Sequence, residues 1–267
     1  LPWGDLSILG TTDTDITDVP EEPLADIDDV TYLLRSANAY FPDARLNLGD
    51  VVSAWAGLRP LLASPGATST AAVPREHRIV ESASGLVTIA GGKLTTHRSM
   101  AAEVVDRVAR RLRRLDGRSV PRRAATDTEP LPGGEVRDLD LIVRDLVDEG
   151  MEEQLARALV SRYGTEAAAV ANLARREPAL ARPLLPGQPV IGAEVVHQAR
   201  REMAMTVADV LARRTRLFLE DPHQAVEAAP AVAGLLAAEL GWSAEERDAQ
   251  AQAYRDEAAR MRRAITP

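Results

Sequence analysis

The chain has 267 residues, 45% hydrophobic but only 3% aromatic, with no cysteine, four histidines and a formal net charge of −8. That length accommodates one large domain or two smaller ones with cores of Leu, Val and Ala. Disulfides, thiolate metal sites and cysteine nucleophiles are excluded, and no apolar run approaches the roughly 20 residues that span a bilayer. The start, Leu1-Pro2-Trp3-Gly4-Asp5, has no initiator Met and does not resemble a signal peptide, so the chain is expected to belong to a longer protein.

In chain order, Leu6–Asp13 alternates like a strand and breaks into an acidic loop over 13–26. Asp26 is placed to cap a helix over about 27–41 that buries Val30, Leu33, Leu34 and Ala37. Val51–Leu58 reads as another strand, and residues 63–74 as a loop. Residues 78–82 and 85–90 form an expected hairpin around Ala83-Ser84. Met100, Val104, Val105, Val108, Leu112 and Leu115 then recur at helical spacing. After a Gly-, Pro- and Arg-rich linker the pattern is helical throughout. Helices are predicted over 139–147, 152–163, 166–175, 193–203, 207–219, 222–240 and 244–265. Gly164 and Gly241 serve as stops, Asp221-Pro222 as a start, and Ser243 with Glu246 as a capping box.

The most informative stretch is Gly91-Gly92-Lys93-Leu94-Thr95-Thr96, where a buried strand turns into a helix. Paired glycines allow a tight turn and close approach to a ligand, either threonine can cap the helix, and open N–H groups at its start favour negative charge. Lys93 is the sole lysine among 32 Lys and Arg residues. In a chain that uses Arg for nearly every cation, this position is expected to need a compact, flexible point charge. The competing reading is a plain surface lysine beside a Gly-Gly turn. Charge supports the functional one: residues 1–60 carry 11 acids and 3 bases, residues 61–126 carry 5 and 12, and residues 127–267 carry 24 and 17. A basic middle segment containing this turn points to chemistry on an anion.

Three constellations follow. Arg59, Arg75 and Lys93 could converge on a phosphate or carboxylate, or the two arginines could pair with the acidic first segment. Arg107, Arg110, Arg111, Arg114 and Arg118 make a basic helix face that is either merely solvated or drawn to anionic lipid. Nucleic acid is not expected as a partner, because no aromatic residues interleave with these arginines. Glu194, His197, Arg200, Arg201, Glu202 and Asp209 read as charged outer faces of a helical bundle, with metal ligation a weaker competitor. No metal is expected. The chain has no G-x-G-x-x-G, G-x-S-x-G or P-loop motif.

Four ordered motifs carry a resemblance: Ile8–Asp15, Trp55–Leu62, Arg75-Glu76-His77 and Gly91–Arg98. Together with Glu194-Val195 through Arg213-Arg214-Thr215-Arg216-Leu217, they closely resemble the C-terminal half of FAD-dependent glycerol-3-phosphate dehydrogenase. The resemblance implies an α+β portion that completes an FAD-dependent oxidoreductase fold of the DAO type, followed by an all-α C-terminal domain. Residues 1–120 would be the C-terminal part of the FAD-binding and substrate-binding domain, residues 121–137 a linker, and residues 138–267 the helical domain. The family oxidises sn-glycerol 3-phosphate to dihydroxyacetone phosphate, passing a hydride to FAD and electrons to membrane quinone.

By the same resemblance Arg59 and Arg75 would hold the substrate phosphate, with Lys93 near the substrate as the catalytic group. Gly91, Gly92, Lys93, Leu94, Thr95 and Thr96 would contact FAD. The implied partners are the N-terminal half of the same enzyme, an anionic membrane surface and a second copy in a homodimer. The implied location is cytoplasmic, peripheral on the inner face of the cell membrane. His97 departs from the tyrosine usual in the family and is expected one turn into the helix, altering packing only. Rival readings are a glycerol-3-phosphate oxidase using oxygen and a non-catalytic helical interaction module with a flavin-domain remnant.

Overall fold

A computed structural model describes residues 1–16, 18–59, 62, 76–117, 124–135 and 138–266. The order is β1 (Pro2–Trp3), β2 (Leu6–Ser7), α1 (Ile27–Tyr40), β3 (His77–Glu81), β4 (Val87–Gly91) and α2 (His97–Asp116). The helices α3 (Leu139–Asp148), α4 (Glu153–Tyr163), α5 (Ala167–Arg176), α6 (Gly192–Arg201), α7 (Leu217–Glu220), α8 (Ala229–Leu240) and α9 (Ala244–Met261) follow. Contacts divide the chain into two compact units: residues 1–14, 18–57 and 132–267 form one, and residues 15–17 with 58–131 the other.

The helical part of the first unit has two apolar clusters that share α6. Val196 of α6 packs with Leu146, Leu159, Val170, Leu180 and Ile191. Its neighbour Val195 packs with Leu211, Leu217, Val232, Leu236 and Tyr254. Both clusters are filled out by alanines with no exposed surface. Small side chains let helices approach closely at little entropic cost. Local chemistry sets the helix ends. The Glu152 carboxylate accepts from the Gln154 and Leu155 N–H groups at 2.8 and 2.9 Å, starting α4. Gly164 and Gly241, at φ +55° and +72°, end α4 and α8 as expected.

Two predicted helices are broken. The Asp221 carboxylate draws the His223 and Ala225 N–H groups into a turn, and Gln224 and Ala225 take φ +55°, so the long helix starts only at Ala229. Residues 209–214 widen into a π turn in which the Thr215 N–H and hydroxyl both donate to the Val210 carbonyl. Arg216 then stops the run at φ +62°. Ser243 caps α9 through the Glu246 N–H at 3.1 Å. The stretches read as strands at 6–13 and 51–58 are irregular, apart from Leu6–Ser7 in a two-residue hairpin with Pro2–Trp3. A strand exists only when paired, and among the described residues no strand pairs with 8–13 or 51–58.

Residues 1–14 and 18–57 belong to the same compact unit as the helical portion. α1 starts as predicted, with the Asp26 carboxylate accepting from the Asp29 N–H at 2.8 Å. Its buried Val30 and Leu34 pack against Ala264 near the end of the chain. Arg260 pairs with Glu22 at 2.9 Å.

Glu194 and His197 are not on an outer face. Glu194 has no exposed surface and His197 is 4% exposed. The Glu194 carboxylate accepts from Arg162 at 2.7 and 3.1 Å, from the Tyr163 hydroxyl at 3.0 Å and from the Ile191 N–H at 3.0 Å. Gln198 Nε2 donates in turn to the Tyr163 hydroxyl at 2.6 Å. Burial pushes the Glu194 carboxyl above the ordinary carboxylate range, and the Arg162 fork opposes that shift. His197 stands edge-on to the Tyr163 ring at 5.3 Å, and burial lowers its pKa, so it is held neutral.

Removing one member of a buried ion pair strands the other, so Glu194→Ala should cost about 3–5 kcal/mol in chemical denaturation. A cost within the range of ordinary surface substitutions would show that the network does not hold α4 to α6. His197 gains a proton on unfolding below its ordinary pKa but resists it when folded. Its contribution is therefore present at neutral pH and is lost as pH falls through about 6.5. His197→Phe should accordingly lose less thermal stability than the parent between about pH 7.5 and pH 5.5; equal losses would remove His197 as a source of acid lability.

Candidate functional site

The second unit is built on an antiparallel hairpin in which His77 pairs with Gly91 and Glu81 with Val87. Its loop has three residues, Ala83-Ser84-Gly85. Gly85 donates to the Ser82 carbonyl at 2.9 Å, and its φ of +90° closes the turn. An ion pair and a hydrogen bond bind the following helix to this hairpin. Arg111 of α2 pairs with Glu81, and the His77 ring lies 2.8 Å from the Glu103 carboxylate. Arg111 thus leaves the basic face to which its spacing assigned it, while Arg107, Arg110 and Arg114 remain exposed. Arg118 lies outside the described residues.

β4 runs into α2 through Gly91 and Gly92, at φ +75° and +87°. Both positions are closed to larger residues. A Cβ on Gly91 would lie 2.8 Å from the Glu76 carbonyl oxygen, and one on Gly92 2.5 Å from the Met100 sulfur. The glycines are therefore needed first for the protein's own packing, with Met100 filling the inner side of the turn. Lys93 follows with extended backbone, and a single 3₁₀ turn over Leu94–Thr96 precedes the α-helix.

Neither threonine caps the helix through its side chain. The Thr96 hydroxyl instead donates back to the Lys93 carbonyl at 2.9 Å and fixes that residue's backbone. The first helical bond runs from the Thr96 N–H to the Lys93 carbonyl at 3.0 Å. By helical geometry, the N–H groups of Leu94 and Thr95 stand at the open end of the turn. His97 is the first α-helical residue, not one turn in; its exposed ring donates from Nδ1 to the Leu94 carbonyl at 2.8 Å.

Lys93, Leu94, Thr95 and Thr96 are all exposed, Leu94 at 87%. The result is a cation, an apolar side chain and two open N–H groups on a surface stiffened from behind. It suits a ligand bearing negative charge. Arg59 is exposed at the end of residues 18–59, and Arg75 lies outside the described residues. Among the described residues, no group of three or more His, Asp or Glu side chains is placed to hold a metal ion. Sequence reasoning missed the Met100 backing, the His77–Glu103 pair and the Arg111–Glu81 pair.

Residues 1–107 match the family model described as FAD dependent oxidoreductase, and residues 124–247 the one described as C-terminal domain of alpha-glycerophosphate oxidase. The mitochondrial glycerol-3-phosphate dehydrogenase of Rattus norvegicus is 38% identical over 248 residues, covering 91% of this chain and 33% of the relative. Glycerol-3-phosphate dehydrogenase 2 of Mycobacterium bovis is 34% identical over 259 residues, covering 95% and 43%. The crystal structure of the Bacillus halodurans glycerol-3-phosphate dehydrogenase complexed with FAD superposes with a TM-score of 0.76 at 29% identity, covering 97% of this chain and 49% of that one. The chain spans about a third of the length of the rat relative. With its oxidoreductase segment followed by the helical C-terminal domain, it belongs to the FAD-dependent glycerol-3-phosphate dehydrogenase family.

Proposed function

We propose that this chain supplies the C-terminal share of an enzyme that oxidises sn-glycerol 3-phosphate to dihydroxyacetone phosphate and passes the electrons to quinone. The observation that carries the reading is the Gly91–Thr96 turn, closed on its inner side by Met100 and open on the other through Lys93 and the 3₁₀ start. Its residues fit FAD: positive-φ glycines set the approach, Leu94 offers an apolar face, and the Leu94 and Thr95 N–H groups offer donors. FAD, when bound, supplies the hydride acceptor.

The helix start and the Lys93 ammonium would offer fixed positive potential to the electron-accepting group that FAD supplies. A lysine near the substrate would also favour negative charge on the alcohol oxygen. Arg59 and Arg75 take the substrate phosphate, each with a planar fork matched to its oxygens. The remaining walls of the cleft come from the N-terminal half of the same enzyme. We place the enzyme on the cytoplasmic side of the membrane as a homodimer, touching anionic lipid through α2. This helix leaves Val105, Val108 and Leu115 exposed beside Arg107, Arg110 and Arg114.

In the full-length enzyme, Lys93→Ala and Arg59→Ala should each lower turnover at least about tenfold, the scale of one lost charge-assisted contact. Parent-like kinetics in both would remove their roles. Peroxide released in place of reduced quinone would assign the chain to the oxygen-using oxidases, a reading favoured by the oxidase description of the helical domain's family. Purified full-length protein without flavin absorbance would point to a non-catalytic module. Changing Arg107, Arg110 and Arg114 to Glu should weaken co-sedimentation with anionic vesicles; unaltered binding would leave α2 an ordinary solvated helix.

A further inference from the structure

α2 is tied to the β3–β4 hairpin at two points, and one of them stands directly behind the Gly91–Thr96 turn. All of the residues concerned belong to the second compact unit. His77 and Glu81 share one face of β3, because side chains alternate along a strand. The His77 Nε2 donates to the Glu103 carboxylate at 2.8 Å, and Arg111 pairs with Glu81. The spacings of the two ties agree. Glu103 and Arg111 are eight residues apart, about 12 Å along a helix, and the four steps from His77 to Glu81 cover about 13 Å along a strand. Met100, Glu103 and Arg111 also fall within about 80° of the helix surface, so one stripe of α2 meets the hairpin along its length.

His77 does more than hold the helix. It pairs with Gly91 across the hairpin, and a Cβ on Gly92 would lie 3.1 Å from the His77 Cβ as well as 2.5 Å from the Met100 sulfur. His77 and Met100 thus stand together on the side of Gly92 to which a side chain would point. From Met100 the contacts run toward the open face of the turn. The Thr96 hydroxyl lies 3.3 Å from the Met100 sulfur and donates to the Lys93 carbonyl at 2.9 Å. Among the described residues the His77 ring has one polar partner, Glu103. The ring is therefore a support behind the turn and not an acid or base in front of it.

We propose that His77 and Glu103 are positioning residues. They set the register of α2 on the hairpin and, through Gly92, Met100 and Thr96, the place of Lys93. The register rests on these contacts alone, and its consequence for catalysis rests on the function proposed above. There Lys93 favours charge created on the reacting groups, while Arg59 and Arg75 hold the substrate phosphate. Displacing Lys93 then slows the chemical step more than it weakens substrate binding. The second tie supplies an internal comparison, since Arg111 meets Glu81 and covers Gly85 at the far end of the hairpin.

The test is hydrogen–deuterium exchange in the full-length protein, comparing the parent with His77→Ala, Glu103→Ala, their double variant, Glu103→Gln and Arg111→Ala. His77→Ala keeps the Cβ beside Gly92 and removes only the ring. The Glu103 side chain is 59% exposed and that of His77 28%, so these changes leave the fold intact. His77→Ala and Glu103→Ala should speed exchange over residues 94–103 on the order of tenfold, with the double variant no faster than either single one. Glu103→Gln, whose amide oxygen still accepts from Nε2, should return exchange to within about twofold of the parent. Arg111→Ala should instead loosen residues 81–88. The His77 and Glu103 alanine variants should also lower kcat for glycerol 3-phosphate about tenfold with KM changed less than about twofold, and alter the visible circular dichroism of the flavin. Parent-like exchange over residues 94–103 in both, Glu103→Gln as fast as Glu103→Ala, or equal loosening there by Arg111→Ala overturns the register role. Faster exchange with parent-like kcat, or with a change in KM alone, overturns the role in catalysis. A parent without flavin removes the proposed function, while the exchange result still decides the register.

Discussion

The passage from β4 to α2 needs two successive residues without a Cβ, and much of the second unit is arranged around that requirement. Gly91 and Gly92 take left-handed backbone, and behind them stand the Glu76 carbonyl and the Met100 sulfur, where a side chain would have to go. The constraint comes from the protein's own interior. Because the turn is packed from within, its outer surface is shaped before any ligand arrives, and the Thr96 hydroxyl pins the Lys93 carbonyl on that surface. A site built this way avoids the cost of ordering a loop at the moment of binding.

Features governed by short-range rules were legible in the sequence. The Asp26 cap, the hairpin around Ala83–Gly85, the glycine stops and the Gly-Gly-Lys turn all depend on residues within a few positions of one another. Features that need a distant partner were not. Leu6–Asp13 and Val51–Leu58 both read locally as strands, yet local pattern does not say whether a neighbouring strand exists to receive hydrogen bonds. Glu194 failed for a related reason. Spacing marks it as polar, but only the arrival of Arg162 and Tyr163 from α4 makes a buried carboxylate tolerable. The same holds in the site, where neither Met100 behind Gly92 nor Glu81 beside Arg111 follows from local pattern.

Segments of the chain differ in how well they cover their own apolar residues. The helical portion places Leu146, Leu159, Leu211, Leu217 and Leu236 almost wholly out of solvent. By contrast Val19, Tyr40, Phe41, Val80, Leu86 and Leu115 stay more than half exposed, and among the described residues the larger sheet has two strands. Two strands with little apolar cover are marginal in water, so these segments are built to be packed by more polypeptide. That agrees with a chain spanning about a third of its rat relative. It also gives the helical portion a physical role: through Ala264 against α1 and Arg260 on Glu22 it anchors segments that cannot bury themselves.

Lys93 is the remaining question, since 31 other cations in this chain are arginine. An arginine at the mouth of the 3₁₀ turn would present a broad plane with directional donors, which suits a fixed carboxylate or phosphate but crowds a flat ring beside it. An ammonium on a four-carbon stem is small enough to share the space with Leu94 and the Thr95 N–H. It can swing its three donors toward an oxygen whose charge changes during reaction. Where the anion is permanent and its geometry known, as for the phosphate assigned to Arg59 and Arg75, the fork is the better choice. On the proposed function, the division between two arginines and one lysine follows the difference between a charge that is bound and a charge that is created.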